Sequence, residues 1–169
     1  MADVFIEQIV KRKLDVRQVM VRLSIILGGL VLSVAALLFF SAAFPIVLAV
    51  SCYFGYLFVK RQSWEYEYAV TNGELDVDRI MGRNARKRVV TVSCGAFDVF
   101  YPMNKDYADE YNSKTIRKVI DAASSANAPG RWFAIFQGKD NLRTMLVFEP
   151  DERMLDAIKA ALPRRLQRR

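Results

Sequence analysis

The sequence predicts a membrane α-hairpin followed by a mainly-β (α+β) domain of roughly 100 residues. Three observations carry this. Leu23–Val59 contains no charged residue over 37 positions, far more than a soluble core helix needs. Residues 62–163 alternate apolar and polar side chains in short runs separated by turn residues, the mark of half-buried strands. Residues 150–163 then carry one apolar helical face with a proline at either end.

At the N-terminus, Val4, Phe5, Ile9, Val16 and Met20 recur at roughly helical spacing with charges between them. Residues 1–20 are therefore expected to form an amphipathic helix lying in the membrane interface.

Residues 21–61 follow as the hairpin. One helix over the uncharged run would be about 55 Å long, against a hydrocarbon core of roughly 30 Å. Two spans fit better, about 21–40 and 45–60, with the turn at Ser41-Ala42-Ala43-Phe44-Pro45. Pro45 lacks a backbone donor and suits the first turn of a new helix. Lys11, Arg12, Lys13, Arg17 and Arg22 precede the first span, Lys60 and Arg61 follow the second, and the turn has no basic residue. The positive-inside rule then places both termini in the cytoplasm, for a multi-pass protein of the cell membrane. Ser41-Ala42-Ala43 also resembles a signal-peptide cleavage site, but the apolar run before it is too long and the one after it would leave a greasy N-terminus. Ser24, Gly28, Gly29 and Ser33 have small-xxx-small spacing, which suits packing between the hairpin's own helices or, as an alternative, homo-oligomerisation.

In the domain, Trp64, Tyr66, Tyr68 and Val70 alternate with Glu65 and Glu67, giving a first strand with an aromatic core face. Trp64 also suits the aromatic belt of a membrane interface. Asn72-Gly73 is the preferred pair for a mirror-image two-residue turn, and Glu74–Ile80 returns. A turn at Gly82-Arg83-Asn84 leads to strands near Lys87–Ser93 and Ala96–Tyr101. Asn104–Asn112 reads as a polar loop or short helix. Thr115–Ala122 suits either a helix or a strand and is read as a strand for its β-branched content. Arg131–Gln137 and Leu142–Phe148 form a second hairpin across Gly138-Lys139-Asp140-Asn141. Pro150, Asp151 and Glu152 open a helix whose apolar face is Met154, Leu155, Ile158, Ala161 and Leu162. Pro163 stops it, and residues 164–169 form a basic tail whose simplest use is an electrostatic anchor. The tally is six or seven short antiparallel strands and one closing helix.

Composition narrows the function. There is no histidine, which removes the commonest general acid/base and metal ligand near neutral pH. Cys52 lies in the apolar run and Cys94 in a strand, so neither a disulfide framework nor a cysteine zinc site is expected. Phosphate-cradling glycine loops and nucleophile elbows are missing. The net charge of +7 gathers near the membrane and at the C-terminus, favouring an anionic lipid surface over nucleic acid. No cofactor, no metal and no catalytic residue is expected.

Two charged clusters remain. Arg83, Arg86, Lys87 and Arg88 surround the turn between the second and third strands. They suit contact with a lipid headgroup or a partner, and equally an edge kept soluble by charge. Glu65, Glu67, Glu74, Asp76 and Asp78 stack acids on one outer face of the first hairpin; their spacing matches no calcium loop, and a solvated strand face explains them. Tyr107 and Tyr111 are read as part of a solvated loop that offers a secondary docking point.

The layout of a two-helix anchor, seven strands and a closing helix resembles the membrane-anchored bacterial pleckstrin-homology-like (PH-like) proteins. Tyr66-Glu67-Tyr68-Ala69-Val70-Thr71-Asn72-Gly73-Glu74-Leu75 and Val147-Phe148-Glu149-Pro150 carry the likeness. It implies a partly open seven-stranded barrel or sandwich closed by the C-terminal helix, and no enzymatic activity. In eukaryotic relatives the basic residues that hold phosphoinositides sit in the loop joining the first two strands; here that loop is the bare Asn72-Gly73 turn. The expected function is a non-enzymatic scaffold that recruits a protein partner to the membrane, or alternatively an anionic-lipid sensor working through Arg83–Arg88.

Overall fold

The computed structural model describes residues 5–13, 16–61, 64–81 and 85–167. The chain divides into two compact units, Met1–Arg12 with Glu65–Arg169, and Lys13–Trp64.

The second unit is two packed helices. Helix α1 runs Val16–Phe39, a 3₁₀ turn covers Ser41–Ala43, and α2 runs Phe44–Arg61. Each is long and apolar enough to cross a membrane. The turn falls where the proline predicts, and Ala43 N donates to Phe40 O at 2.8 Å. Half of the small-residue spacing is used between the helices. A side chain at Gly29 would lie 3.2 Å from Ser51 Cβ, and the buried Ser33 donates its hydroxyl to Gly29 O at 2.8 Å. Gly28 meets nothing, and Ser24 bonds back to Met20 O.

The first unit is two open four-stranded sheets. Strands β1 (Phe5–Lys11), β2 (Trp64–Thr71), β3 (Glu74–Met81) and β4 (Ala85–Ser93) form one, in the order β1-β2-β3-β4. Strands β5 (Phe97–Pro102), β6 (Lys118–Asp121), β7 (Trp132–Gln137) and β8 (Arg143–Phe148) form the other, in the order β5-β7-β8-β6.

Strand β1 corrects the reading of residues 1–20 as an interfacial helix. Val4 lies outside the described residues, Phe5–Lys11 is extended, and residues from Val16 onward belong to α1. The segment also has a two-residue period, in which Ile6, Gln8 and Val10 stand opposite Val70, Tyr68 and Tyr66. Pairing with β2, 54 residues away at Lys11↔Glu65 and 66 at Phe5↔Thr71, outweighs a weak helical spacing. The domain thus has eight described strands rather than seven. Its first inter-strand connection is the pair α1–α2, so Asn72-Gly73 is the second connection and not the first.

A second correction concerns direction. Strand β6 runs parallel to β8, with Lys118↔Thr144 through Asp121↔Val147, so the domain is not wholly antiparallel. The reading of Thr115–Ala122 as a strand agrees with β6. The chain reaches β6 from β5 by a crossover through a 3₁₀ turn at Lys105–Tyr107 and the short helix α3 (Ala108–Tyr111), and β7 then joins β6 to its parallel neighbour β8.

The core lies between the sheets. Tyr68, Val70, Leu75 and Val77 from the first face Phe97, Phe136, Leu146 and Phe148 from the second, all nearly or fully buried. Tyr68 meets Phe148 edge-on at 5.7 Å. Its hydroxyl donates to Ala122 O at 2.6 Å, and burial holds the phenol well above its ordinary pKa. The Asn72-Gly73 turn has both residues at positive φ, 50° and 83°, as a mirror-image turn requires.

Helix α4 (Glu152–Ala161) is capped by Asp151, whose carboxylate accepts from Met154 N at 2.8 Å. It buries Met154 and Ile158. The predicted basic tail is helical over Arg164–Gln167 (α5). Arg165 there donates to Phe97 O at 3.1 Å and Asp98 at 2.9 Å, so this part of it packs on the domain; Arg168 and Arg169 lie outside the described residues.

Candidate functional site

The two charged clusters of the sequence turn out to be one structure. Opposed residues of β3 and β4 share a face, and Leu75↔Val92 and Val77↔Val90 lie on the core side. Simple alternation would then send Arg88 and Arg86 inward as well. A β-bulge intervenes: Val77 pairs with Val90 but Asp78 pairs with Arg88. The extra residue, Val89, moves everything N-terminal to it on β4 to the opposite face. Arg86 and Arg88 therefore join Glu67, Asp76 and Asp78 on the outer face.

There they neutralise one another. Arg86 reaches across β3 to Glu67, while Arg88 holds Asp78 and, at 2.6 Å, Asp76. Thr91 bridges Arg88 at 2.8 Å and Asp76 at 2.6 Å. Glu67 and Asp78 are each only 5 % exposed, so the acidic face is not simply solvated. Burial raises the Glu67 carboxyl above its ordinary pKa despite the lowering effect of Arg86. The hydrogen bond to Asp78 raises the Arg88 guanidinium. Lys87 is exposed on β4, and Arg83 lies outside the described residues. Two of the four basic residues proposed for lipid contact are thus engaged by carboxylates.

The flanking basic residues also divide. Lys11 lies 3.8 Å from Glu65. Arg12 donates to Ala123 O at 3.2 Å and lies 3.6 Å from Asp121, which ties it to the β domain. Lys13 follows, Arg17 and Arg22 are on the first two turns of α1, Arg61 ends α2, and Lys60 sits over the Tyr56 ring at 5.9 Å.

Tyr107 and Tyr111 are not presented to solvent as a loop. The second sheet is apolar on both faces, and its far side carries Val99, Phe133, Ile135, Met145 and Val147. Tyr101, Met103, Tyr107, Tyr111 and Ile116 cover that side. Tyr107 stacks on Tyr101 at 4.2 Å with planes 2° apart, and Tyr111 meets Phe133 edge-on at 5.6 Å.

What sequence reasoning missed is a groove of about 780 Å³ where β5 meets α4 and α5. Phe100, Tyr101, Tyr107 and Trp132 line one side; Lys159, Leu162, Leu166 and Gln167 line the other. Phe100 and Trp132 stack at 4.9 Å, and Lys159 lies 5.6 Å above the Trp132 ring. Strand β5 is the outermost strand of its sheet, so its outward backbone edge borders the groove, with Arg165 occupying the Phe97 carbonyl. The aromatic residues were legible in the sequence; their convergence with a helix whose Lys159 lies 27 positions from Trp132 and 59 from Phe100 was not.

Among the described residues no cluster of three or more cysteine, aspartate or glutamate side chains is placed to hold a metal. The groove offers ring faces, one ammonium group, amide donors and a strand edge, which is chemistry for recognition.

No curated protein and no solved structure shows a significant match to the chain. A family model, that of the bacterial PH-like domain (DUF6106), matches residues 2–168. Two open sheets with a helix packed at their edges agree with that description, and the chain belongs to this bacterial PH-like domain family.

Proposed function

We propose that this protein is a non-enzymatic, membrane-anchored binding protein that recruits a protein partner through the groove between β5 and α4–α5. The observation that carries the proposal is an aromatic-lined groove bordered by a strand edge. Such a surface suits an extended segment, whose backbone pairs with the edge while its side chains rest on the rings.

The anchor is the hairpin α1–α2, spanning the cell membrane with both termini on the cytoplasmic side. The chain leaves the β domain at Lys11 and re-enters at Glu65, residues directly opposed in one sheet. Two spans between adjacent points of one domain return the chain to the side it left. The basic flanks Arg17, Arg22, Lys60 and Arg61 support that side being cytoplasmic.

The lipid-sensor alternative is weaker because Arg86 and Arg88 would have to leave buried or half-buried carboxylates to meet a headgroup. The test is affinity capture of the intact protein from native membranes in mild detergent, with proteins and lipids identified by mass spectrometry. A protein partner retained by the unaltered chain and lost with Lys159→Glu supports the scaffold. Recovery of anionic lipid alone, lost with Lys87→Glu, overturns it in favour of the sensor. Turnover of a co-purified small molecule would overturn both.

A further inference from the structure

The two sheets part company along one side. Strand β4 is the outermost strand of the first sheet and β6 that of the second. At one end of this seam the sheets are joined, because Tyr66 donates to Asp121 O at 3.1 Å and Tyr68 to Ala122 O. Away from that junction they enclose a cleft of about 330 Å³. Its floor is apolar, made by the half-buried Val90 and Ile120 and the buried Val92 and Phe136. Lys118, Lys139 and Asp140 stand at its rim.

We infer that this seam is a second binding site, which takes an extended peptide segment of a partner protein carrying alternate apolar and acidic side chains, added as a strand to β4. Three features favour this occupant. First, the cleft is bordered by β4 from Arg88 to Val92, and past the bulge at Val89 the outward N–H and C=O groups of Val90–Val92 pair with no strand among the described residues. Backbone groups at a half-buried edge gain most from another backbone. Second, an added strand places every other side chain toward the floor, where four apolar residues await them. Third, the charge is complementary. Arg88 is already engaged by Asp76 and Asp78, which leaves Lys118 and Lys139 against Asp140. The Lys118–Asp140 pair, 3.1 Å apart, has about half of each side chain exposed. Such a solvent-exposed pair adds little to stability, so an incoming carboxylate displaces it at little cost.

A second copy of this chain fits less well. Self-pairing brings the same lysines to the same seam, and the Ala85–Arg88 half of β4 carries three basic residues and ends in a bulge. Those are the devices by which edges resist association with themselves. The usable edge is the valine-rich half, which is also the part that lines the cleft.

The test uses the full-length protein in nanodiscs of zwitterionic phosphatidylcholine. The probe is a fluorescent octapeptide of alternating valine and glutamate, with a valine–lysine octapeptide as its counterpart. The expected result is saturable binding of the acidic peptide, slower amide exchange over Val89–Val92, and about tenfold weaker binding with either Lys118→Glu or Lys139→Glu. The valine–lysine peptide should not bind, and Lys159→Glu should leave affinity unchanged. Absence of saturable binding, equal binding of both peptides, or indifference to both lysine reversals overturns the proposal. So does slowed exchange confined to Phe97–Pro102, which would assign the peptide to the aromatic groove instead. Loss of the partner on Lys159→Glu in the capture experiment bears on that groove alone, so the two sites stand or fall separately.

Discussion

Asp151 donates its backbone N–H to the side-chain oxygen of Gln8 at 2.8 Å, joining residues 143 positions apart. The same Gln8 amide gives its N–H to Glu149 O at 2.9 Å. One inward-facing side chain therefore fastens β1, which precedes the helical hairpin, to the junction between β8 and α4. Gln8→Ala should cost about 1–3 kcal/mol, since it leaves part-buried backbone groups without partners. Trp132 starts β7 and Trp64 opens β2 beside the strand that Gln8 fastens, so fluorescence-monitored unfolding reads this loss directly. Gln8→Glu should not rescue it, because a carboxylate keeps the acceptor and loses the donor.

The bulge at Val89 makes a sharper prediction. Deleting Val89 removes the extra residue while Asp78 stays opposite Arg88, so strict alternation now keeps Arg86 and Arg88 on the outer face with Glu67 and Asp78. The deletion variant should therefore keep a cooperative unfolding transition, as should Val89→Thr within about 1 kcal/mol of the parent. Arg88→Met, which takes the partner from Asp78, should cost about 1–3 kcal/mol; denaturant unfolding of the three variants checks this.

Glu67 gives the pH dependence. Its carboxyl is already raised by burial, and Arg86 is the main influence opposing that rise. In Arg86→Met the folded-state pKa should climb further above the unfolded one. The folded chain then holds a proton that the unfolded chain releases, so stability is full below the unfolded value and falls as pH rises through the folded one. Thermal melts at pH 5 and pH 8 check this. The variant should lose stability toward pH 8 relative to the parent, and a flat or opposite difference would remove Glu67 as the cause.

Gly73 serves two roles at once. Its φ of +83° is a conformation other residues rarely adopt, and a Cβ there would meet Ala161 Cβ at 3.1 Å. Gly73→Ala should destabilise the domain by about 1–2 kcal/mol. Pairing it with Ala161→Gly should recover the part due to the contact with α4 and leave the backbone part.

Cys94 reports on folding. It is fully buried, and burial pushes its thiol up to about 12. In a Cys52→Ser background, maleimide at pH 7 should label Cys94 only after denaturation. Labelling of the native protein at the rate of a free thiol would mean that the end of β4 opens readily.

Features that depend on nearest neighbours along the chain were readable from the residues alone. The uncharged run with its proline specified two apolar helices and the turn between them. Two-residue alternation, Asn72-Gly73 and Gly138–Asn141 located most strands and both tight hairpins. The apolar face after Pro150 marked α4. Tertiary structure decided whatever required partners distant in sequence. The Phe5–Lys11 segment satisfies two periods, and the edge of β2 selected the extended one. Strand β6 found a parallel neighbour because its crossover allowed it to reach the outer side of β8. The acidic and basic clusters read as separate faces until one extra residue in β4 brought them together. The aromatic groove exists because α4 and α5 close against β5, which no local pattern encodes. Side-chain period is a local property of the backbone, whereas register, bulges and sheet edges are set by which residues meet after the chain has folded.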